Sequence, residues 1–156
     1  MLRKVTQSFT RPNDTTAYAD TDLVANSTTA GSVTPMKFQG FSGGWRIVNA
    51  RVSKTDETDV ANATFTLHIY GSSPTVANGD NGALSTNLVD KLGTIPFAIM
   101  TAFTDEGASV ANVGSTPLPE GIYGTSQVFY GLLEAKAAYS PAAQEVFTVT
   151  LYLEKV

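Results

Sequence analysis

The chain has no cysteine, a single histidine and few charges. Without cysteine there is no disulfide framework, no thiolate metal site and no Cys or Cys–His chemistry. Zero cysteine also fits a chain made in the cytoplasm. The one histidine, His68, has no second imidazole to share a metal. A serine triad would need His68 as its base, and no G-x-S-x-G elbow accompanies it. Charged residues make up 15% of the chain, against about 25% in an average soluble domain. The net charge of −4 and the pI near 4.8 argue against a nucleic-acid partner, which normally meets a basic patch. No run approaches the roughly 18 apolar residues of a spanning helix, so no membrane is expected. The start, MLRKVTQSFTRPNDTT, lacks the apolar stretch of about 7–15 residues of a secretory signal.

Threonine fills the gap. The chain holds 21 Thr and 12 Ser in 156 residues, and 42% of it is hydrophobic. That length is one domain's worth of chain. Apolar and polar residues alternate with period two, the signature of half-buried strands. Phe65, Leu67 and Ile69 share one face, and Thr64, Thr66, His68 and Tyr70 the other. Phe147, Val149, Leu151 and Leu153 face inward against Thr148, Thr150, Tyr152 and Glu154. Trp45–Lys54 alternates throughout, with Arg46, Val48, Ala50, Val52 and Lys54 on one side. Such patterning suits antiparallel sheets with one wet face.

Shorter strands are expected at Lys4–Thr10, Leu23–Ala25, Val33–Gln39, Gly93–Ile99 and Ser109–Val113. Turn clusters at Arg11–Asp14, Asn26–Gly31, Ser42–Gly44, Gly71–Gly82 and Ser115–Gly124 separate them. Gln127–Tyr139 has two readings. Glu134 to Ala138 has helix propensity. Phe129, Gly131, Leu133, Ala135, Ala137 and Tyr139 nevertheless alternate, which favours a long hairpin into the C-terminal strand. A short helical turn is the second candidate at Ala83–Asp90. Eight or nine strands in one unit predict an all-β, single-domain antiparallel β-sandwich of jelly-roll type. Residues 1–18 read as an N-terminal arm and first strand, and 19–156 as the sandwich.

Candidate chemistry is thin. Asp56, Glu57 and Asp59 form the densest acidic group, but lack the glycine and distal glutamate of a calcium loop. A solvated loop is the better reading. Asn78-Gly79-Asp80-Asn81-Gly82 lacks the Gly-Lys-Ser/Thr of a phosphate loop. Its Asn/Asp–Gly steps indicate a tight reversal. Trp45, Tyr18, Tyr123, Tyr130, Tyr139 and Tyr152 are candidates for sugar stacking, although packing is the commoner use of such rings. No catalytic residue, metal or cofactor is expected.

Two segments carry a resemblance. One runs from Trp45 to Ala83 and contains Val52-Ser53-Lys54, Phe65-Thr66-Leu67-His68-Ile69-Tyr70, Ser73-Pro74-Thr75 and Asp80-Asn81-Gly82-Ala83. The other is Thr10-Arg11-Pro12-Asn13-Asp14-Thr15-Thr16-Ala17-Tyr18, followed by Asp22-Leu23-Val24. Both are similar to head decoration, or cement, proteins of tailed bacteriophages. That resemblance implies a jelly-roll-like sandwich made in the bacterial host cytoplasm and carried on the virion exterior. It implies binding to the major capsid protein and self-association as a homodimer or homotrimer on capsid symmetry axes. No set of binding residues carries over from it; the contact regions expected from the chain itself are the basic Met1–Tyr18 arm and the Gly71–Gly82 loop. The residues in question are Leu2, Arg3, Lys4, Arg11 and Tyr18, with Asn78, Asp80 and Asn81. Alternatives are a head-fibre base, a neck or tail-tube component, or a carbohydrate-binding sandwich of a receptor-binding fibre.

Overall fold

The computed structural model describes residues 1–56, 60–87, 90–103, 107–112, 122–124 and 127–156. Among these, eleven strands form two antiparallel sheets. They are β1 (Leu2–Thr10), β2 (Leu23–Val24), β3 (Met36–Gln39), β4 (Trp45–Lys54), β5 (Phe65–Tyr70) and β6 (Lys91–Pro96), then β7 (Thr101–Phe103), β8 (Gly107–Asn112), β9 (Ile122–Gly124), β10 (Val128–Ala135) and β11 (Val146–Lys155). The single helical turn among the described residues is a 3₁₀ turn at Ala30–Ser32.

The first sheet runs β1-β11-β4-β8-β7, with β9 beside the start of β4. The second runs β2-β10-β5-β6, with β3 beside the start of β10. The eight longer strands thus fall into the orders β1-β11-β4-β8 and β3-β10-β5-β6. The chain crosses repeatedly from one sheet to the other, as expected of a jelly-roll-like sandwich. The three short strands β2, β7 and β9 extend its rims.

The main core lies between the sheets. Phe65, Leu67, Ile69, Phe129 and Leu133 of the second sheet face Ile47, Val52, Phe147, Val149 and Leu151 of the first. Phe65 meets Phe147 and Tyr139 edge-on, at 5.3 and 5.5 Å between ring centres. Burying each of these rings and aliphatic chains contributes about 1.5–3 kcal/mol.

The alternation expected over Trp45–Lys54 breaks in the middle. Tyr152 pairs with Asn49, but Leu153 pairs with Ile47, so Val48 is an extra residue in β4. This bulge switches the inward phase. Trp45 and Ile47 point inward before it, and Ala50, Val52 and Lys54 after it.

The wet face expected for β5 is also partly covered. His68 and Tyr70 are buried, because a second, smaller cluster sits on the outside of this sheet. Leu23, Ala25, Tyr70 and Leu132 form it, with Val33, Val76 and Leu84 packed alongside.

Gln127–Tyr139 is extended rather than helical over β10, where β5 pairs on one side and β2 and β3 on the other. It is not a hairpin with the C-terminal strand. β10 and β11 belong to different sheets, and residues 136–145 cross between them. The helical turn expected near Ala83–Asp90 is absent over 83–87, where Ala83 and Thr86 make isolated bridges to Asp22 and Val76. Ile122–Gly124, expected within a turn cluster, is strand β9. Glu57 and Asp59 of the acidic group, and Val113 of the expected strand, lie outside the described residues.

Candidate functional site

The two regions expected to make contacts meet inside the molecule. Residues 21–28 and 78–84 are joined by backbone hydrogen bonds. Leu23 N–H donates to Gly82 C=O (2.8 Å), Asp80 N–H to Ser27 C=O (2.7 Å) and Leu84 N–H to Thr21 C=O (2.7 Å). The turn that makes this approach needs its glycine. A Cβ on Gly79 would stand 2.1 Å from the Thr28 carbonyl oxygen. Asn81 takes the left-handed conformation, with φ 61°, a conformation Asn tolerates better than most residues. Gly79→Ala is expected to destabilise the fold by about 2 kcal/mol through backbone overpacking, as measured by urea unfolding.

This turn aims the Asp80 carboxylate inward. Asp80 Oδ2 accepts from Arg11 Nη2 at 2.9 Å. Asp80 Oδ1 accepts from the Tyr18 hydroxyl at 2.6 Å and from Ala25 N–H at 2.7 Å. Arg11 Nε donates to the Tyr18 hydroxyl. Arg11 Nη1 donates to the carbonyls of Asp14 and Ala142, both at 3.2 Å. The Arg11 and Asp80 side chains are fully enclosed. Buried charges persist only when paired and hydrogen-bonded in this way. Burial pushes the Asp80 carboxyl upward, opposed by Ala25 N–H, Tyr18 and Arg11. Burial alone would lower Arg11, but Tyr18 and Asp80 outweigh it and raise it.

A second buried cluster adjoins the first. Lys54 Nζ donates to Glu145 Oε1 at 2.8 Å, and the Tyr139 hydroxyl donates to Glu145 Oε2 at 2.6 Å. Asp56 lies 3.8 Å from Lys54 Nζ. The Tyr18 and Tyr139 rings stack at 6.1 Å and 2°, so the two clusters form one continuous polar seam through the end of the sandwich. Backbone bonds reinforce it: Arg11 N–H to Glu145 C=O (2.9 Å) and Tyr18 N–H to Tyr139 C=O (2.8 Å).

Both tyrosine hydroxyls are pushed strongly upward, first by burial and then by the neighbouring carboxylates Asp80 and Glu145. Their folded values exceed the unfolded value of about 10, so their contribution to stability is complete below that pH and is lost above it. These two hydroxyls alone are expected to add up to about 2.7 kcal/mol per pH unit to the fall in stability, about 1.36 each. Urea titrations between pH 9 and 11 check this, with the slope reduced in Tyr18→Phe and Tyr139→Phe.

A third cluster sits on the outer side of the second sheet. His68 Nε2 contacts Glu134 Oε2. Glu134 Oε1 accepts from Lys136 at 2.9 Å, and Lys136 reaches Asp20 at 3.0 Å. His68 Nδ1 is buried without a hydrogen-bond partner. A neutral ring donating from Nε2 satisfies that geometry, whereas protonating Nδ1 would bury a bare N–H. Burial accordingly lowers the His68 pKa, against the pull of Glu134.

The sequence-derived contact residues therefore divide. Leu2, Arg3, Lys4 and Asn78 are exposed, and Asn81 is half-buried. Asn78 Nδ2 donates to Ala83 C=O and Asn81 Nδ2 to Thr16 C=O. Arg11, Tyr18 and Asp80 are buried and satisfied within the chain, so their role seen here is internal. Trp45, the first candidate for sugar stacking, is buried, with Nε1 donating to Ser42 C=O at 2.8 Å. Tyr18 and Tyr139 are buried as well, and Tyr130 and Tyr152 are half-buried. Among the described residues, no three His, Asp or Glu side chains converge as a metal site.

The outer face of the first sheet is different in kind. Thr6 and Thr150 hydroxyls meet at 3.0 Å, and those of Ser8 and Thr148 at 2.8 Å. Lys4, Thr6 and Ser8 are exposed there, and Thr148, Tyr152, Arg51 and Ser53 are half-exposed. Arg46 Nε donates to Glu154 Oε2 at 2.6 Å on the same face.

These features define a class: an antiparallel two-sheet β-sandwich with internally satisfied charges and one open, hydroxyl-rich face. No protein-family model and no curated protein matches the chain. Among solved structures, the cyanophage Pam1 capsid asymmetric unit is similar over 99% of this chain and 85% of that one, at 14% identity and a TM-score of 0.40. A candidate sugar-binding protein from Bacteroides thetaiotaomicron is similar over 96% of this chain and 88% of that one, at 13% identity and a TM-score of 0.29. At these values neither likeness bears on what the chain does.

Proposed function

We propose that this chain is a structural protein of a phage virion, without enzymatic role, that binds the outer capsid surface and stabilises it by bridging major capsid subunits. The observation that carries this reading is that the two segments resembling head decoration proteins form one joined unit. Arg11 and Tyr18 come from one segment and Asp80 from the other, and they share a buried hydrogen-bonded junction. The outer face of the first sheet supports the reading. Its hydroxyls already pair across strands. Covering such groups costs far less desolvation than covering ions. A symmetric homodimer or homotrimer on a capsid axis would then multiply modest contacts into avidity.

The test is co-sedimentation of purified protein with expanded phage shells, followed by thermal disruption of the shells. Binding accompanied by a higher disruption temperature is the expected result. Protein that neither sediments with shells nor protects them overturns the reading. Stacked rings of the isolated protein in negative stain would point instead to a tail-tube subunit.

A further inference from the structure

Among the described residues, β1 stands at the edge of the first sheet, paired on one side only, with β11. Its register fixes which backbone groups are spent. Lys155 N–H donates to Met1 C=O, and Arg11 N–H donates to Glu145 C=O. In an antiparallel ladder, hydrogen-bonded and non-hydrogen-bonded pairs alternate. Arg3, Val5, Gln7 and Phe9 therefore bond to β11. Leu2, Lys4, Thr6, Ser8 and Thr10 turn their N–H and C=O groups outward. The close hydroxyl pairs at Thr6 and Ser8 agree, because non-hydrogen-bonded pairs bring side chains nearer.

Beneath that edge lies a groove of about 480 Å³ between β1 and β3, with Phe9 and Met36 along it and Gln7, Ser8, Thr34 and Lys37 at its rim. The exposed charges nearest it are cations, and the carboxylate opposite Leu2 on β11, Glu154, is held by Arg46. Arg3, Lys4 and Lys37 are exposed, and none has an ion pair among the described residues. No Asp or Glu occurs in residues 1–13 or 23–55. Arg3 also reaches toward the end of β3, at Gly40.

We infer that the β1 edge is a docking site for an extended acidic segment of a partner chain, which adds as a further strand beside β1. Main-chain bonds to Lys4, Thr6, Ser8 and Thr10 give affinity, and alternate side chains give specificity. Small apolar residues of the segment enter the groove over Phe9 and Met36. The intervening acidic residues face away from the groove, beside Lys4. The same cations oppose pairing with a second copy, since charged edges discourage self-association. This inference stands independently of the capsid reading, because it specifies the chemistry of the segment and not the protein that bears it.

The experiment uses the full chain and a capped nine-residue peptide of alternating glutamate and valine, with a lysine–valine peptide as control. Hydrogen exchange by NMR reads each β1 amide. Protection is expected to rise at Lys4, Thr6, Ser8 and Thr10 and to stay unchanged at Val5, Gln7 and Phe9. Thr6→Pro removes one outward donor at a position where an edge strand accepts proline. It is expected to weaken binding about tenfold or more, as is the lysine peptide. If Thr6→Pro does not fold, the Lys4→Glu variant is expected to show the same loss. No binding of the glutamate peptide at about 1 mM overturns the inference. So does equal binding of the lysine peptide. Dimerisation of the free protein that protects the same four amides would assign the edge to a second copy, and likewise overturns it.

Discussion

Asp80→Ala is expected to destabilise the protein by about 3–5 kcal/mol, the cost of stranding one partner of a buried ion pair. Three donors lose their acceptor at once: Arg11 Nη2, the Tyr18 hydroxyl and Ala25 N–H. The Arg11 guanidinium stays enclosed and keeps only carbonyls, the Tyr18 oxygen and Asp14 Oδ1 at 3.4 Å. Replacing the pair together, as Arg11→Met with Asp80→Leu, removes the stranded charge. It still leaves Tyr18 and Ala25 unsatisfied, at about 1–3 kcal/mol for each buried polar group. The double variant is therefore expected to be less stable than wild type but no worse than Asp80→Ala. Urea unfolding of the three proteins measures this.

Glu145→Ala is expected to cost about 3 kcal/mol. It removes the 2.8 Å partner of Lys54 and the acceptor of the Tyr139 hydroxyl, leaving Asp56 at 3.8 Å from the ammonium. Here compensation is simpler. Lys54→Met with Glu145→Leu and Tyr139→Phe removes the three hydrogen-bonded members together and leaves half-buried Asp56 in place. An apolar replacement of a buried ion pair is often neutral or stabilising. The triple variant is expected to recover most of the loss, whereas Glu145→Ala alone does not. A triple variant as unstable as the single one would mean that packing, not charge, sets the cost.

The C-terminal strand was legible in the sequence because β11 lies between β1 and β4 with one face on the core. Its inward residues Phe147, Val149, Leu151 and Leu153 keep one phase throughout. β4 alternates in sequence in the same way but has an extra residue at Val48. Nothing local in Ile47-Val48-Asn49 announces a bulge, because the partner strand defines it. Helix propensity in Glu134-Ala135-Lys136 lost to pairing on both sides of β10. The burial of His68 and Tyr70 was hidden for another reason. Their cover comes from Leu23, Ala25 and Leu132, all far away in the chain.

The polar seam was half legible. Asn78-Gly79-Asp80-Asn81-Gly82 reads as a tight turn and is one. That its carboxylate points inward depends on Arg11, 69 residues earlier. Lys54 did leave a signal, since it falls in phase with Ala50 and Val52 and so shares their buried side. Glu145, just before the C-terminal strand, left none. The exposed members Leu2, Arg3 and Lys4 lie on β1, which starts two residues before the expected strand Lys4–Thr10 and is bound along its own sheet. Its available chemistry is the outward backbone edge and the hydroxyl face.

The proposed role puts this sandwich on the outside of a capsid, joining its subunits. Difference imaging of expanded shells, with and without added protein, tests it most directly. The account predicts added density on the outer surface at junctions between major capsid subunits, with the β1–β11–β4 face toward the shell. Shells whose surface is unchanged at saturating protein would contradict it.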